Sequence, residues 1–150
     1  MADDTIGEGR FTLDIQRWFA AEPARVFAAW TRPEALRRWW CPPGWQPTHV
    51  EVDLRVGGTW RIGMRSHDDG IDVSVGGQFL EVGPPSVLVY TWQWTGAFPD
   101  MPLTQVAVAF TAFRGGTELR LVHGPMGDVT LWQRHRTGWI DACDRMELIL

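Results

Sequence analysis

The stretch DVTLWQRHRTGWIDACDRMELIL, residues 128–150, decides the fold. Leu131, His135, Trp139, Ala142, Met146 and Ile149 recur three or four positions apart, with charged side chains between them. That is the period of one helix face, and it predicts a long helix carrying a broad apolar stripe. Asp128 stands where an N-cap belongs, since its short carboxylate can accept from the unpaired N–H groups of a first turn. Such a stripe has to be buried against another element.

Upstream, the period changes from about four to two. TELRLVH, residues 117–123, puts Leu119, Leu121 and His123 on one face, and TQVAVAF (104–110) and VLVYTWQW (87–94) read as two further strands. Ile71, Val73 and Val75 alternate in the same way, as do Trp60, Ile62 and Met64, and Val50, Val52, Leu54 and Val56. HDDG (67–70), GPPS (83–86) and the Gly pairs at 57–58 and 115–116 are turns between them. Leu80 and Val82 share the face of Val73 and Val75 only if the alternation slips once, and Gly76-Gly77 is the place expected for that bulge. With the bulge, Glu81 faces outward. Asp53 is expected at the surface, paired with Arg55 or Arg61.

Near the other end, Arg10–Phe19 alternates as a strand, and two short helices follow. Pro23 suits the first turn of one, with Val26, Phe27 and Trp30 at helical spacing. The other is expected to begin at Thr31 as N-cap with Glu34 as capping-box acid, and CPPG (41–44) stops it. The order is strand, two short helices, about six strands and one long helix. An antiparallel sheet with one face to cover, and one helix to cover it, is an α+β fold. The expected organisation is a flexible tail over 1–9 and a single domain over 10–150.

Composition narrows the function. The chain has 18 acidic against 14 basic residues, and its basic side chains form no run, so nucleic acid is not an expected partner. No apolar stretch approaches the roughly 20 residues that cross a bilayer, and the acidic start MADDTIGEG is the reverse of a signal peptide. Two distant cysteines, Cys41 and Cys143, read as reduced thiols of a cytoplasmic protein. No pair among His49, His67, His123 and His135 has metal-ligand spacing, so neither a metal nor another cofactor is expected.

Several motifs together carry a resemblance: PARVFAAWTRPEALRRWWCPPGW, DLRVGGTWRIGM, GGQFLEVGPPSVLVYTW, GGTELRLVHGPM and HRTGW. From about Arg10 onward the chain resembles the homologues of the activator of heat-shock-protein-90 ATPase, within the START-like (SRPBCC) superfamily. The resemblance implies a helix-grip fold, in which a curved antiparallel sheet of about six or seven strands wraps the terminal helix. It also implies a cavity between them, with the two short helices bordering its mouth. Relatives in that superfamily bind sterols, lipids and hormones, or cyclise and condense aromatic precursors. A small hydrophobic or aromatic ligand is therefore the expected partner. A cyclase-type enzyme on the same cavity and a chaperone-binding module are the alternatives, and a homodimer stays open. Cys41 stands where the family usually has glycine, which makes it an individual feature of this chain.

The expected ligand-binding set is Trp39, Trp40, Trp60, Arg61, Tyr90, Trp92, His123, His135 and Trp139. Ten tryptophans exceed what a small core easily absorbs, so some should line a cavity. His123 has two open readings: acid–base group facing a ligand, which makes it the candidate catalytic residue, or a histidine that fixes the turn HGPMG (123–127). Trp39 and Trp40 are consecutive, about 100° apart on a helix, so one can pack inward while the other faces the entrance.

Overall fold

A computed structural model describes residues 6, 7 and 9–150. The expected tail over 1–9 falls largely outside the described residues; within it, β1 (Ile6–Gly7) pairs with β2 (Gly9–Arg10). Next come β3 (Leu13–Phe19), α1 (Pro23–Thr31), α2 (Pro33–Trp39), β4 (Trp45–Val52), β5 (Thr59–Ser66) and β6 (Asp72–Gly83). β7 (Val87–Thr95), β8 (Thr104–Phe113), β9 (Gly116–Gly124) and α3 (Val129–Glu147) complete the chain. The α+β expectation holds. Seven antiparallel strands form one curled sheet in the order β3-β9-β8-β7-β6-β5-β4, and α3 packs on its inner face.

β7, β8 and β9 are meander neighbours, and β3 returns from the start of the chain to pair with β9 along its whole length. Leu119 and Leu121, Val106 and Val108, and Leu88 and Tyr90 thereby stack across adjacent strands on the buried side. Asp128 caps α3 as expected: its Oδ1 accepts from the backbone N–H of Thr130 at 2.7 Å and of Leu131 at 3.1 Å. Arg17 on β3 holds the far end of α3 through Asp144 and Glu147. Arg145 donates to the carbonyls of Trp39 and Trp40 at the end of α2, where unpaired helix carbonyls attract a cation.

Five local expectations are corrected. The first sheet strand begins at Leu13, not Arg10, because Phe11 takes a left-handed φ of 57° that breaks the extended run. Thr31 does not cap α2. It ends α1 with its hydroxyl donating to the Phe27 carbonyl, and Arg32 occupies the cap position without a side-chain bond. The strand read from Val50 to Val56 starts earlier and stops at Val52, leaving Leu54 and Val56 exposed on a turn that Asp53 closes with Arg55. Ile71 lies outside β6 and is exposed.

The slip in β6 falls at Leu80, between the Phe79↔Tyr90 and Glu81↔Val89 pairs, and not at Gly76-Gly77. Leu80 is pushed outward while Val82 rejoins the core, and Glu81 is exposed. Gly77 serves a different end. A Cβ there would collide with the carbonyl oxygen and side chain of Thr91, so only glycine lets β6 lie this close to β7.

Two substitutions test these supports in urea unfolding. Gly77→Ala is expected to cost about 1–3 kcal/mol, the cost of overpacking against a backbone that cannot step aside. Asp128→Ala should cost about 1 kcal/mol through the lost cap.

Candidate functional site

The corner RRWWCPPGW (37–45) divides its indoles. Trp39 is fully buried, donates to the Ala29 carbonyl at 2.8 Å and packs 5.1 Å from Trp30. Trp40, one residue on, is partly exposed and turns into a half-open cleft of about 230 Å³ between α3 and the sheet. Pro42 joins it from the corner, Met64 from β5, Trp92 and Trp94 from β7, and Phe98 from the loop that follows. α3 supplies His135, Gly138, Trp139 and Ala142, with Arg134, Asp141 and Arg145 at the edge. Phe98 holds a left-handed φ of 48°, and the Arg134 guanidinium lies 5.8 Å from its ring centre.

Two histidines stand at right angles, ring centres 5.6 Å apart, with His135 in the wall and His123 behind it. An indole N–H can only donate, so a nitrogen that meets one must be the bare nitrogen of a neutral imidazole. Trp139 donates to Nδ1 of His123 at 3.1 Å, which places the His123 proton on Nε2, 3.0 Å from the Thr104 hydroxyl. Trp94 donates to Nε2 of His135 at 2.9 Å, while His135 Nδ1–H donates to the Leu131 carbonyl at 2.8 Å. Both rings are thus neutral with both nitrogens engaged. Burial holds His123 well below the ordinary histidine range, with His135 facing it as the smaller cause. Burial also lowers His135, opposed by its bond to the Leu131 carbonyl.

The expected residues therefore separate. Trp40, Trp92, His135 and Trp139 line the cleft. His123 lies behind it, fully buried against Trp92 and Trp139. Trp60 and Tyr90 border a second, smaller void of about 30 Å³ that shares Trp40 with the cleft; Trp60 donates to the Thr91 carbonyl and the Tyr90 hydroxyl accepts from Trp30. Burial pushes the Tyr90 phenol further up from its ordinary value. Arg61 is exposed on β5 and meets neither space. Burial raises the Cys41 thiol to about 11, opposed by the nearby Arg145 cation, which is the reverse of what activates a thiol.

Trp94, Met64, Phe98 and Gly138 were missed. Trp94 was within reach, since Tyr90, Trp92 and Trp94 share one parity on β7. Gly138 stands beside Trp139 on α3, one step off the stripe. Phe98 sits in an irregular loop and carries no sequence signal.

A curled antiparallel sheet closed over a C-terminal helix, with an apolar cleft between them, defines a START-like domain. Residues 20–150 match the family model "Activator of Hsp90 ATPase homolog 1-like protein", and the chain belongs to that family. Protein CV1439 from Chromobacterium violaceum has the same fold, with 24% identity, TM-score 0.82, and 93% of this chain and 96% of that one covered. The AHSA1 protein from Silicibacter pomeroyi is 27% identical, with TM-score 0.78 and coverage of 91% and 95%. CalU16 from Micromonospora echinospora is 26% identical, with TM-score 0.70 and coverage of 96% and 79%. No curated protein matches the chain.

The two neutral imidazoles make stability depend on pH. Their folded values lie below the unfolded value of about 6.5, so the unfolded chain binds more protons at mildly acid pH. Their contribution is complete above about 6.5 and declines as pH falls from there towards the lowered folded values. The melting temperature should fall between pH 7 and pH 5, and a His135→Gln variant should fall less steeply. A flat profile would rule out two buried neutral histidines.

Proposed function

We propose that the protein binds a small, flat, apolar molecule, with aromatic rings preferred, in the cleft between α3 and the sheet. The observation that carries this is the wall: four indoles and the Phe98 ring face one space, with few polar groups among them. Trp92 sits at the centre, with its ring centre 6.0 Å from Trp40, 5.7 Å from Trp94 and 5.4 Å from Trp139. Aromatic rings favour such offset and edge-on arrangements, and a flat ligand extends them. Affinity comes from apolar area removed from water, about 25 cal/mol per Å² before ordering costs.

Binding is favoured over cyclisation by the state of the histidines. A cyclase needs an acid–base group at the substrate. His135 is the histidine that borders the cleft, and its bare nitrogen already accepts from Trp94. His123, with both nitrogens engaged, acts on the wall and not on the ligand. A chaperone-binding role would want an exposed apolar patch at the corner, whereas Trp39 is buried there and Trp40 faces the cleft. We place the protein in the cytoplasm, where its two free thiols would stay reduced.

Gly138 offers a direct test. It lines the cleft, and a Cβ there would meet no atom within 4 Å. Gly138→Ala should stabilise the helix by about 0.5–1 kcal/mol. Gly138→Phe should fill the cleft and abolish binding while the protein stays folded. Tryptophan quenching and melting-temperature shifts with a panel of sterols, fatty acids and small ring systems give the readout. If no member of the panel binds the unaltered protein, the proposal is wrong.

A further inference from the structure

The cleft and the smaller void follow one another along the same strands. On β5, Met64 borders the cleft, and Ile62, the next residue of that face, borders the void. On β7, Trp92 and Trp94 border the cleft, while Tyr90 borders the void. α3 covers the first space, and Trp30 of α1 and Leu36 of α2 cover the second. Side chains on one strand face recur every second residue, roughly 6.5 Å apart, so the step from cleft to void is one side-chain position.

Trp40 stands at that step. Among the described residues it is the one that lines both spaces. Its ring centre lies 6.0 Å from Trp92 and 6.4 Å from Trp94 on the cleft side. It is held differently from its neighbours in the wall. The Trp94 and Trp139 rings are pinned by their N–H bonds to His135 and His123, so they are parts of the fold. Trp40 is anchored through its backbone, with its carbonyl accepting from Arg145 at 3.3 Å and its backbone N–H donating to the Leu36 carbonyl at 3.0 Å. Its ring can therefore be changed without stranding a buried hydrogen-bond partner or releasing the end of α2.

We infer that the Trp40 ring is the partition that sets ligand length. It confines the site to compact ring systems, and without it the cleft and the void form one channel that accepts an apolar ligand longer by one ring. The inference rests on the cleft being the binding site, and it names the residue that limits what enters. At about 230 Å³ the cleft falls below the roughly 300–1,000 Å³ typical of ligand pockets. The void, at about 30 Å³, is too small to take a ring by itself. Its polar groups are already engaged, the Thr31 hydroxyl with the Phe27 carbonyl and the Tyr90 hydroxyl with Trp30, so what reaches it has to be apolar. An indole is larger than a phenyl ring, so removing it clears the passage, and Ile62 and Leu88 in the void's wall then meet the added ring.

The test compares 2-naphthol with 6-phenyl-2-naphthol, which carries one more ring along its long axis. Dissociation constants are measured by tryptophan quenching on the unaltered protein, on Trp40→Ala and on Trp40→Leu. Trp40→Ala is expected to shift the ratio of the two constants towards the longer probe by roughly tenfold or more, the order of one further ring removed from water. Trp40→Leu, which keeps more of the packing at the corner, should shift it in the same direction. Methyl NMR locates the added ring. The Ile62 and Leu88 methyl resonances should move with the longer probe in the variants, and stay in place with 2-naphthol and in the unaltered protein. An unchanged ratio in both variants, or Ile62 and Leu88 methyls that respond to the longer probe equally with and without the Trp40 ring, would overturn the inference while leaving the cleft a binding site. Binding of neither probe to any of the three proteins would overturn both readings.

Discussion

The structure depends on one buried hydrogen bond, from the Trp139 indole to Nδ1 of His123. It joins α3 to β9, the strand that closes the sheet between β3 and β8. The same indole stacks on Trp30 of α1 at 5.6 Å and 11°, so one side chain ties the terminal helix to the sheet and to the first short helix. Because Nδ1 must be bare to accept, the His123 proton is forced onto Nε2 and towards Thr104, whose hydroxyl reaches the Trp92 carbonyl at 3.4 Å. Helix position, histidine tautomer and the placement of β7 are therefore coupled. Neutrality follows, because a protonated His123 would have no lone pair for Trp139.

That coupling shapes the cleft. α3 lies over the strands at a separation set by large rings, and Trp92, Trp94, Trp139 and Trp40 fill the gap only partly. Arg145 secures the other side by holding the end of α2 against α3, which keeps the WWCPPGW corner beside the opening. The aromatic excess that stands out in the composition is thus divided in two. Trp30, Trp39 and Trp60 build the core with satisfied N–H groups, while the rings on the helix side of β7 build a wall.

Much of the fold was legible because burial on one side imposes a period on the chain. The alternation in β5, β7, β8 and β9 and the three-four spacing of α3 appear where expected, as does the Asp128 cap, which depends on neighbours two and three residues away. The misplaced slip depended on the neighbouring strand, and the misplaced cap on a competing bond inside the preceding helix. The slip at Leu80 answers to Val89 and Tyr90, and Gly77 answers to Thr91. Thr31 fits a cap by type, but its hydroxyl is used inside α1 by the Phe27 carbonyl.

The sequence by itself determined the α+β architecture, the family resemblance and the presence of more indoles than a core of this size needs. Local periodicity and residue volume carry that information. Tertiary structure alone decided which indoles meet the cleft, since parity assigns a face but not a neighbour across it. Tyr90, Trp92 and Trp94 share one face of β7, yet Tyr90 borders the smaller void and the other two border the cleft. The histidines were decided in the same way: whether an imidazole can act on a ligand depends on who already holds its nitrogens, and those partners come from other strands and another helix turn.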